Sequence, residues 1–329
     1  MFHSIYIEED IQDHPKVLNI CNRYPTLPRI TCKRHGEIFN RHAQDFRIQK
    51  QAPALILAKK NNQRVIPIPE GYGIGGKKNY YFSHMLNCLF DCRYCFLQGM
   101  YKSAHYVLFV NYEDFQTDIK EMVNGTDEPI YFFSGYDCDS LAMNSVTHFT
   151  ESFLPFFKST PKAFLELRTK STNIQPLLKH ETLSNVIVAF SLNPQEIVSA
   201  LEKRTPPLKQ RLKSIQSLQQ SGWKIGLRFD PVIYWSRYQE TYRSFFEEVF
   251  SVIDLSNLHS VTLGTFRMPK EVFKNMATLY PEEKLFAHSI QNKLSIVSYS
   301  DNIEQQILSF CEEQILRFIP KSIFFPCHV

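Results

Sequence analysis

Residues 83–99 read SHMLNCLFDCRYCFLQG and carry three cysteines, Cys88, Cys92 and Cys95, in a C-x3-C-x2-C spacing. Three thiolates on one short loop can converge on one face of a metal centre. A structural zinc site closes a tetrahedron with four ligands, and His84 is the only local candidate for the fourth. An iron–sulfur cluster that keeps one iron open for another ligand takes three cysteines. The motif therefore favours a cluster, with zinc or an unbound thiol loop as the alternatives.

Short runs rich in β-branched and aromatic residues begin just before this motif and alternate with helix-like stretches. The runs cover 80–85, 130–133, 163–167, 186–191, 224–229 and 260–264. The helix-like stretches include 112–123, 140–157, 206–221 and 238–255. Six strand-then-helix units in series predict a parallel α/β architecture, either an open sheet or an incomplete barrel.

Polar side chains follow each of these runs, where parallel strands would end. They are Cys88 to Cys95, then Ser134, Gly135 and Cys138, then Arg168 and Lys170, then Ser191 and Asn193, then Asp230, and finally Arg267. In both candidate architectures function collects at the C-terminal ends of the strands. We therefore expect these residues to share one site. Asp230 and Arg267 are expected either to pair or to touch a cofactor.

The composition is that of an ordinary globular chain. Of 329 residues, 43% are hydrophobic and 21% charged, with a net charge of +4. These values exclude a fibrous or wholly disordered protein. The start, MFHSIYIEEDIQ, lacks the pattern of a signal peptide, and no apolar run is long enough to span a bilayer. We expect a cytoplasmic protein without a membrane partner, whose cysteines serve metal or redox chemistry rather than disulfides.

The cysteine motif, with an aromatic residue (Tyr94) before its last cysteine and its place after the first strand, resembles that of the radical S-adenosylmethionine superfamily. The resemblance implies that Cys88, Cys92 and Cys95 hold a [4Fe–4S] cluster and that S-adenosylmethionine binds its open iron. It also implies a partial (β/α)6 barrel related to the TIM barrel. On this basis residues 1–75 are expected to form a small N-terminal α/β extension, 76–270 the barrel, and 271–329 a helical and hairpin extension that contacts the substrate.

A closer resemblance, over most of residues 75–320, is to the spore photoproduct lyases, a family of DNA-repair enzymes. In GYDCDSLAM, Cys138 falls where the lyases keep a cysteine that donates a hydrogen atom. Tyr94 matches one of two tyrosines beside the cluster. The remaining matches are to cofactor-binding positions of the family and superfamily, and they comprise Ser134, Gly135, Ser140, Lys170 and Ser191.

The resemblance implies a radical reaction on damaged DNA. A 5′-deoxyadenosyl radical would abstract a hydrogen atom from C6 of a pyrimidine photolesion, and the bond joining the two pyrimidines would break. Cys138 would then return a hydrogen atom to the product radical. UV-damaged DNA with a flipped-out lesion is the expected substrate. An electron carrier such as flavodoxin or ferredoxin is the expected partner.

Two positions differ from the lyase pattern. Phe96 stands where the second tyrosine would fall, and Lys293-Leu294-Ser295-Ile296 replaces a lesion-contacting Lys-x-Arg-Tyr segment. The second difference favours an alternative in which the same chemistry acts on a modified nucleotide in RNA. A further alternative, from another class, is a non-catalytic zinc-bearing nucleic-acid binder.

The remaining cysteines and the scattered basic residues carry weaker signals. Cys21, Cys32 and Cys311 are expected to fill space in the core. Cys327 precedes His328, a pair that suggests a metal, but we expect a solvated tail. Candidate phosphate contacts are Lys77, Lys78, Lys102, Arg168, Arg204, Lys209 and Arg211.

Overall fold

The computed structural model describes residues 2–42, 44–287 and 289–327. Its helices are α1 Pro15–Arg23, α2 Phe46–Gln49, α3 Leu97–Met100, α4 Tyr112–Asn124, α5 Asn144–Thr147, α6 Phe149–Lys158, α7 Gln175–Leu178, α8 Gln195–Leu201, α9 Leu208–Gln220, α10 Tyr238–Val252, α11 Lys270–Leu279 and α12 Asp301–Leu316. Its strands are β1 Ile5–Glu8, β2 Arg29–Cys32, β3 Leu55–Ala58, β4 Val65–Pro67, β5 Lys78–Phe82, β6 Met85–Leu86, β7 Asp91–Cys92, β8 Tyr106–Phe109, β9 Ile130–Ser134, β10 Ala163–Thr169, β11 Val186–Ser191, β12 Glu202–Lys203, β13 Lys224–Val232, β14 Leu258–Thr265, β15 Arg267–Pro269, β16 Ile290–Lys293, β17 Ile296–Tyr299 and β18 Phe324–Pro326.

The main sheet has eight strands in the order β18-β14-β13-β11-β10-β9-β5-β4. All neighbours in it are parallel except β4 and β5. Its six strands from β5 to β14 are the six predicted runs, which confirms the parallel α/β prediction. The sheet curls without closing, since β18 and β4 stand at its two edges. Of the two predicted architectures, the incomplete barrel rather than the open sheet is therefore observed.

Helices cover the outside of this sheet because their apolar residues recur with a helical period. In α10 the buried positions Tyr238, Tyr242, Phe245, Phe246 and Val249 lie on one face. The predicted helices over 112–123, 206–221 and 238–255 are confirmed as α4, α9 and α10. The stretch 140–157 divides into α5 and α6 at His148, whose φ is 47°. Among the described residues, no helix combines the length and apolarity needed to cross a membrane.

A second, smaller sheet departs from the expectation of six units in simple series. Its strand order is β2-β1-β3-β8-β6. Between β5 and β9 the chain leaves the main sheet and contributes β6 and β8 to this N-terminal sheet. Both strands lie within the predicted barrel segment, and periodicity carries no information about which sheet a short apolar run joins. The division at residues 75 and 270 stays a prediction.

The C-terminal part returns to the barrel. Strands β16 and β17 form an antiparallel hairpin that also pairs with β15. Helix α12 packs on β14 and α10, and β18 then adds a parallel strand beside β14. The expected helical and hairpin extension is confirmed, and its hairpin reaches the mouth of the barrel through Ile296.

A buried ion pair inside the barrel joins β10 and β13, the two strands on either side of β11. The Glu166 carboxylate lies 2.7 Å from the Arg228 guanidinium, and both side chains are 1% exposed. Burial would raise the pKa of Glu166, but the guanidinium groups of Arg228 and Arg168 outweigh it and lower the pKa to about 2. The folded protein therefore gains stability from this carboxylate above its ordinary pKa of 4.5, and loses that stability as the pH falls toward 2.

Replacing Glu166 with alanine is expected to lower the free energy of unfolding by about 3–5 kcal/mol, because Arg228 is left buried without a counter-charge. Urea unfolding at pH 7 measures the change. Glu128→Ala is the control, since Glu128 pairs with Lys77 on the surface and its loss should change little. Equal destabilisation by the two variants would contradict the expectation.

Candidate active site

A cavity of about 450 Å³ opens at the C-terminal ends of the barrel strands. Its size is typical of a small-molecule site. Nine of the ten predicted site residues line it, namely Cys88, Cys92, Tyr94, Cys95, Ser134, Gly135, Cys138, Lys170 and Ser191. The tenth, Ser140, lies directly behind, with its Oγ 2.8 Å from the Ser134 Oγ. The structure thus brings together residues spread over more than 100 positions of the sequence.

The cysteine loop is held in place by a short ladder and a helical turn. Strand β7 pairs antiparallel with β12, so Cys92 stands opposite Glu202. The Cys95 N–H donates to the Cys92 carbonyl at 3.0 Å, which begins the turn that leads into α3. Cys88 and Cys95 remain partly exposed to the cavity, whereas Cys92 is buried. All three thiols are free and face the same space.

The three thiols of the loop are the candidate ligands of the predicted metal centre. An iron–sulfur cluster that keeps one iron open takes three cysteines, the number that this loop supplies to the cavity. The described residues contain no group of three His, Cys, Asp or Glu side chains placed to share one metal ion.

His84 does not join the cysteine loop as a fourth ligand. Its ring stacks on Phe149 with centroids 4.0 Å apart, and its Nδ1 lies 4.0 Å from the Cys138 Sγ. His84 stands between β5 and β6, and its imidazole contacts the loop after β9 through Cys138. Its position beside Cys138 could not be inferred from its place in the cysteine motif.

Cys138 is a buried, protonated thiol. Burial, followed by the nearby Cys88, Asp137 and Asp139, raises the pKa of its thiol well above the usual range. Burial and the Lys16 ammonium lower the pKa of His84 to about 3, so the imidazole beside the thiol is neutral. A neutral imidazole does not stabilise a thiolate as an imidazolium would. Cys138 therefore keeps its S–H bond at neutral pH.

Lys170 provides a positive charge between the cysteine loop and the strand ends. Burial would lower the pKa of its ammonium, but Cys92 and Glu202 outweigh it and raise the pKa. The ammonium lies 5.6 Å from the centre of the Tyr94 ring. The backbone N–H of Lys170 donates to the Asp139 carboxylate at 2.7 Å, and this hydrogen bond fixes the loop that carries Lys170.

Tyr94 belongs to a buried hydrogen-bond network. Its hydroxyl donates to the Glu202 carboxylate, which also pairs with the Arg211 guanidinium. The Asn193 amide donates to the same carboxylate at 3.1 Å. Glu202, Arg211 and Asn193 thus fix the position of Tyr94, and two of them lie more than 100 residues further along the chain.

Asp139 organises the loop between Cys138 and Ser140. Its carboxylate accepts hydrogen bonds from the Thr169 hydroxyl at 2.7 Å and from the Lys170 N–H at 2.7 Å. It also accepts from the N–H groups of Leu141 and Ala142. One carboxylate therefore joins the ends of β9 and β10. Asp139 was not among the predicted site residues, and its only signal in the sequence is its place next to Cys138.

Gly135 allows the close approach of the backbone at this loop. Its φ is 85°, and an added Cβ would lie 2.6 Å from the Ser140 Oγ and 2.9 Å from the Arg168 carbonyl oxygen. Such contacts force the backbone or Ser140 to move. The conformation also lies in the left-handed region, where a side chain adds strain.

Gly135→Ala is expected to weaken S-adenosylmethionine binding by about 5- to 150-fold, since about 1–3 kcal/mol of strain falls on the loop that is predicted to bind the cofactor. Calorimetric titration of the reconstituted protein measures the affinity. Gly36→Ala serves as the matched control because no atom lies within 4 Å of the added Cβ. Unchanged affinity in Gly135→Ala would contradict the assignment of this loop to the cofactor.

The mouth of the cavity carries a second ion pair and an aromatic group. Arg267 Nη1 lies 2.9 Å from Asp230 Oδ1, and Arg267 Nε donates to the Tyr72 hydroxyl at 2.7 Å. Of the two outcomes expected for Asp230 and Arg267, pairing is the one observed. Tyr136 packs between Tyr81 and Phe96, with ring centroids 4.4 Å and 5.4 Å away, respectively.

The outcomes for the remaining cysteines differ. Cys21, Cys32 and Cys311 are buried in the core as expected. The solvated tail predicted at Cys327 is wrong, since its N–H donates to the Leu263 carbonyl at 2.8 Å and prolongs the pairing of β18 with β14. Burial raises the pKa of its thiol to about 12. His328, the other half of the suggested metal pair, lies outside the described residues.

Two of the candidate phosphate contacts, Arg168 and Arg211, form ion pairs with buried carboxylates. Arg211 is fully buried against Glu202. Arg168 pairs with the Glu166 carboxylate at 3.0 Å at the edge of the cavity. Both cations neutralise buried carboxylates and are therefore not free surface charges. The sequence pattern of the basic residues does not reveal this role.

Comparison with known proteins identifies the family. The sequence model of the spore photoproduct lyase family matches residues 77–323, about three quarters of the chain. The chain belongs to the spore photoproduct lyase family. The matched region includes the cysteine loop, Cys138 and the six parallel strands from β5 to β14.

Individual members of the spore photoproduct lyase family are distant relatives of this chain. The spore photoproduct lyase of Bacillus subtilis is 25% identical over 203 residues, 60% of this chain and 59% of the relative. That of a Geobacillus species is 22% identical over 247 residues, 71% of this chain and 72% of the relative. The aligned region thus spans less than two thirds of the Bacillus protein's length.

Solved structures extend the likeness to the whole fold. A spore photoproduct lyase double mutant with bound AdoMet and dinucleoside spore photoproduct has a TM-score of 0.85 and 17% identity, covering 100% of this chain and 98% of that one. A second structure, of spore photoproduct lyase complexed with dinucleoside spore photoproduct, also has a TM-score of 0.85. The partial-barrel fold expected from the superfamily resemblance is thereby confirmed.

Proposed function

We propose that this protein is a radical S-adenosylmethionine lyase that reverses a pyrimidine photolesion. The observation that carries the proposal is the shared cavity, which three free thiols of the cysteine loop and the protonated thiol of Cys138 all line. Family membership and the structures of relatives with bound AdoMet and dinucleoside spore photoproduct support the same reaction class.

In this proposal Cys88, Cys92 and Cys95 hold a [4Fe–4S] cluster at one end of the cavity. When bound, the cluster and S-adenosylmethionine supply a 5′-deoxyadenosyl radical. The loop of Ser134 and Gly135 binds the amine end of the cofactor. Ser140 supports that loop from behind through its contact with Ser134. Lys170 and Ser191 bind the rest of the cofactor from the ends of β10 and β11.

Cys138 donates a hydrogen atom to the substrate radical. Hydrogen-atom donation requires an S–H bond, which is weak, and not a thiolate. The raised pKa of Cys138 and the neutral state of His84 both keep the proton on sulfur. His84 acts through Cys138 as a positioning residue, since its Nδ1 lies 4.0 Å from the sulfur. Burial also shields the thiol from oxidation by other reagents.

Tyr94 acts next to the cluster, whereas Phe96 does not replace the missing tyrosine. The Tyr94 hydroxyl is committed to Glu202, in a network that holds the ring beside Lys170. Phe96 carries no hydroxyl and contacts Tyr136 through its ring. We infer that a relay of two tyrosines at positions 94 and 96 does not operate in this chain.

The proposed substrate is UV-damaged DNA, and the proposed reductant is a flavodoxin or ferredoxin. We place the reaction in the cytoplasm, where eight free cysteines stay reduced. A modified nucleotide in RNA is the second candidate substrate. Ile296 favours it, because this residue lines the cavity within the segment that differs from the lyase pattern.

Incubation with UV-irradiated DNA and RNA under anaerobic, reducing conditions tests the substrate. The proposal expects a pyrimidine photoproduct to disappear from the DNA with formation of 5′-deoxyadenosine. Loss of a modified base from the RNA alone would establish the second candidate. Lesion-specific mass spectrometry of the digested nucleic acids distinguishes the two.

A further inference from the structure

The outer side of the cysteine loop is rich in positive charge. In the β7–β12 ladder, Glu202 lies opposite Cys92 and Lys203 lies opposite Asp91. Lys203 and Arg204, which follow Glu202 directly, are both exposed. Arg204 is held at a φ of 64°, at the turn that ends this ladder. Both side chains are therefore displayed next to the loop by its own hydrogen-bond ladder.

Further cations surround the same loop. The Arg93 guanidinium lies 2.7 Å from the Asp91 carboxylate and 3.8 Å from the centre of the Tyr280 ring. Exposed Arg47, on α2, also acts electrostatically on Tyr280. Asp91, the acid at the centre of this group, is already paired with the buried Lys50 ammonium at 2.6 Å.

The exposed cations of this surface have no counter-charge of their own. Within the described residues 2–42, 44–287 and 289–327, none of Lys203, Arg204 and Arg47 forms an ion pair. The Lys203 ammonium donates a hydrogen bond to the Ser199 carbonyl at 2.9 Å. Beside Arg47, Ile48 is 65% exposed and adds an apolar contact. A basic surface with an apolar element suits an acidic protein partner.

The position of this surface argues for a redox protein over nucleic acid. None of Arg47, Lys203 and Arg204 lines the cavity in which the substrate reacts. The cysteine loop lies between the cavity and this basic surface. Cys88 and Cys95 face the cavity, and β12 lies on the other side of the loop. A lesion must enter the cavity, whereas an electron needs only a close approach to the loop from outside.

We propose that Arg47, Lys203 and Arg204 form the docking surface for an acidic, low-potential one-electron carrier protein. This inference rests on the proposed function, because the docked carrier must have a cluster to reduce. One electron leaves the reduced carrier and enters the oxidised cluster, so the carrier is oxidised by one electron and the cluster reduced by one. No bond or proton changes place in this step. The β7–β12 ladder connects the surface to Cys92.

A charge reversal tests the surface. In Lys203→Glu/Arg204→Glu, reduction of the reconstituted cluster by a purified acidic flavodoxin hydroquinone is expected to slow at least about tenfold at low salt. The Kd of the protein for flavodoxin, measured by calorimetry, is expected to rise by a similar factor. Reduction by dithionite should stay within about twofold of wild type, because a small reductant needs no docking surface. The flavodoxin effect should shrink as salt screens the charges.

The control Lys120→Glu/Lys321→Glu makes the same change in net charge on two other exposed residues, in α4 and before β18. Equal loss in both double variants, or an unchanged Kd and rate in the first, would overturn the docking surface. Weakened binding of a DNA oligonucleotide with normal flavodoxin binding would assign the surface to nucleic acid instead. A wild-type protein that dithionite cannot reduce would refute the proposed function, and the Kd comparison would still decide the docking surface.

Discussion

Replacing Cys138 with alanine is expected to preserve reductive cleavage of S-adenosylmethionine while the yield of intact product falls by roughly 100-fold, a contribution typical of a well-placed transfer group. The cavity and the cysteine loop are unchanged by this substitution, so the radical still forms. The methyl group of alanine carries no weak bond to hydrogen that the product radical can break. The radical should therefore be diverted to side products, which chromatography and mass spectrometry of the reaction mixture would identify.

Cys138→Ser tests the same role with a side chain of nearly the same size, and a similar loss is expected since an O–H bond is much stronger than S–H. The control is Cys32→Ala, which removes another buried free thiol, in the N-terminal sheet. Normal product formation in Cys138→Ala would refute the donor role. Loss of product in Cys32→Ala to the same degree would indicate a general effect on folding.

Replacing Cys92 with serine is expected to abolish cleavage of S-adenosylmethionine. A lost ligand should cost more than the roughly 10–100-fold that changes outside the ligands cost in metal sites. Cys92 is buried in β7 opposite Glu202, so no other thiol can take its place without disrupting that ladder. Iron and sulfide analysis after anaerobic reconstitution, with the visible spectrum, measures cluster content.

Cys311→Ser is a suitable comparison for this variant, because Cys311 is a fully buried thiol that packs in the core on α12. The Cys311→Ser protein is expected to bind a normal amount of iron, even if its thermal stability is lower than that of the wild type. Full cluster content and cleavage in Cys92→Ser would contradict the assignment of this cysteine as a ligand.

Much of the fold could be predicted because parallel strands buried on both faces are continuous apolar runs. Strand β11, over Val186–Ser191, is buried at every position and was predicted with the observed limits. The strands of the second sheet were harder to assign. β8, over Tyr106–Phe109, is equally buried, but its partner β3 lies about 50 residues earlier. Its apolar pattern indicates burial and contains no information on that pairing.

The site was predicted to the extent that its residues follow strands or form a local motif. The cysteine loop and Cys138 satisfied both conditions. Glu202 satisfied neither condition. His84 lies in the motif segment but was considered only as a fourth metal ligand, because its contact with Cys138 depends on the fold. Glu202 meets Tyr94 only through the β7–β12 ladder, and His84 meets Cys138 only where two loops converge. Residues that act through others leave little trace in a single sequence.

The most direct test of the account is anaerobic reconstitution with iron and sulfide, followed by incubation with S-adenosylmethionine, dithionite and dinucleoside spore photoproduct. We expect a brown protein with a [4Fe–4S] spectrum that forms 5′-deoxyadenosine and converts the lesion to unlinked thymines. A colourless protein that binds stoichiometric zinc and forms no 5′-deoxyadenosine would contradict it.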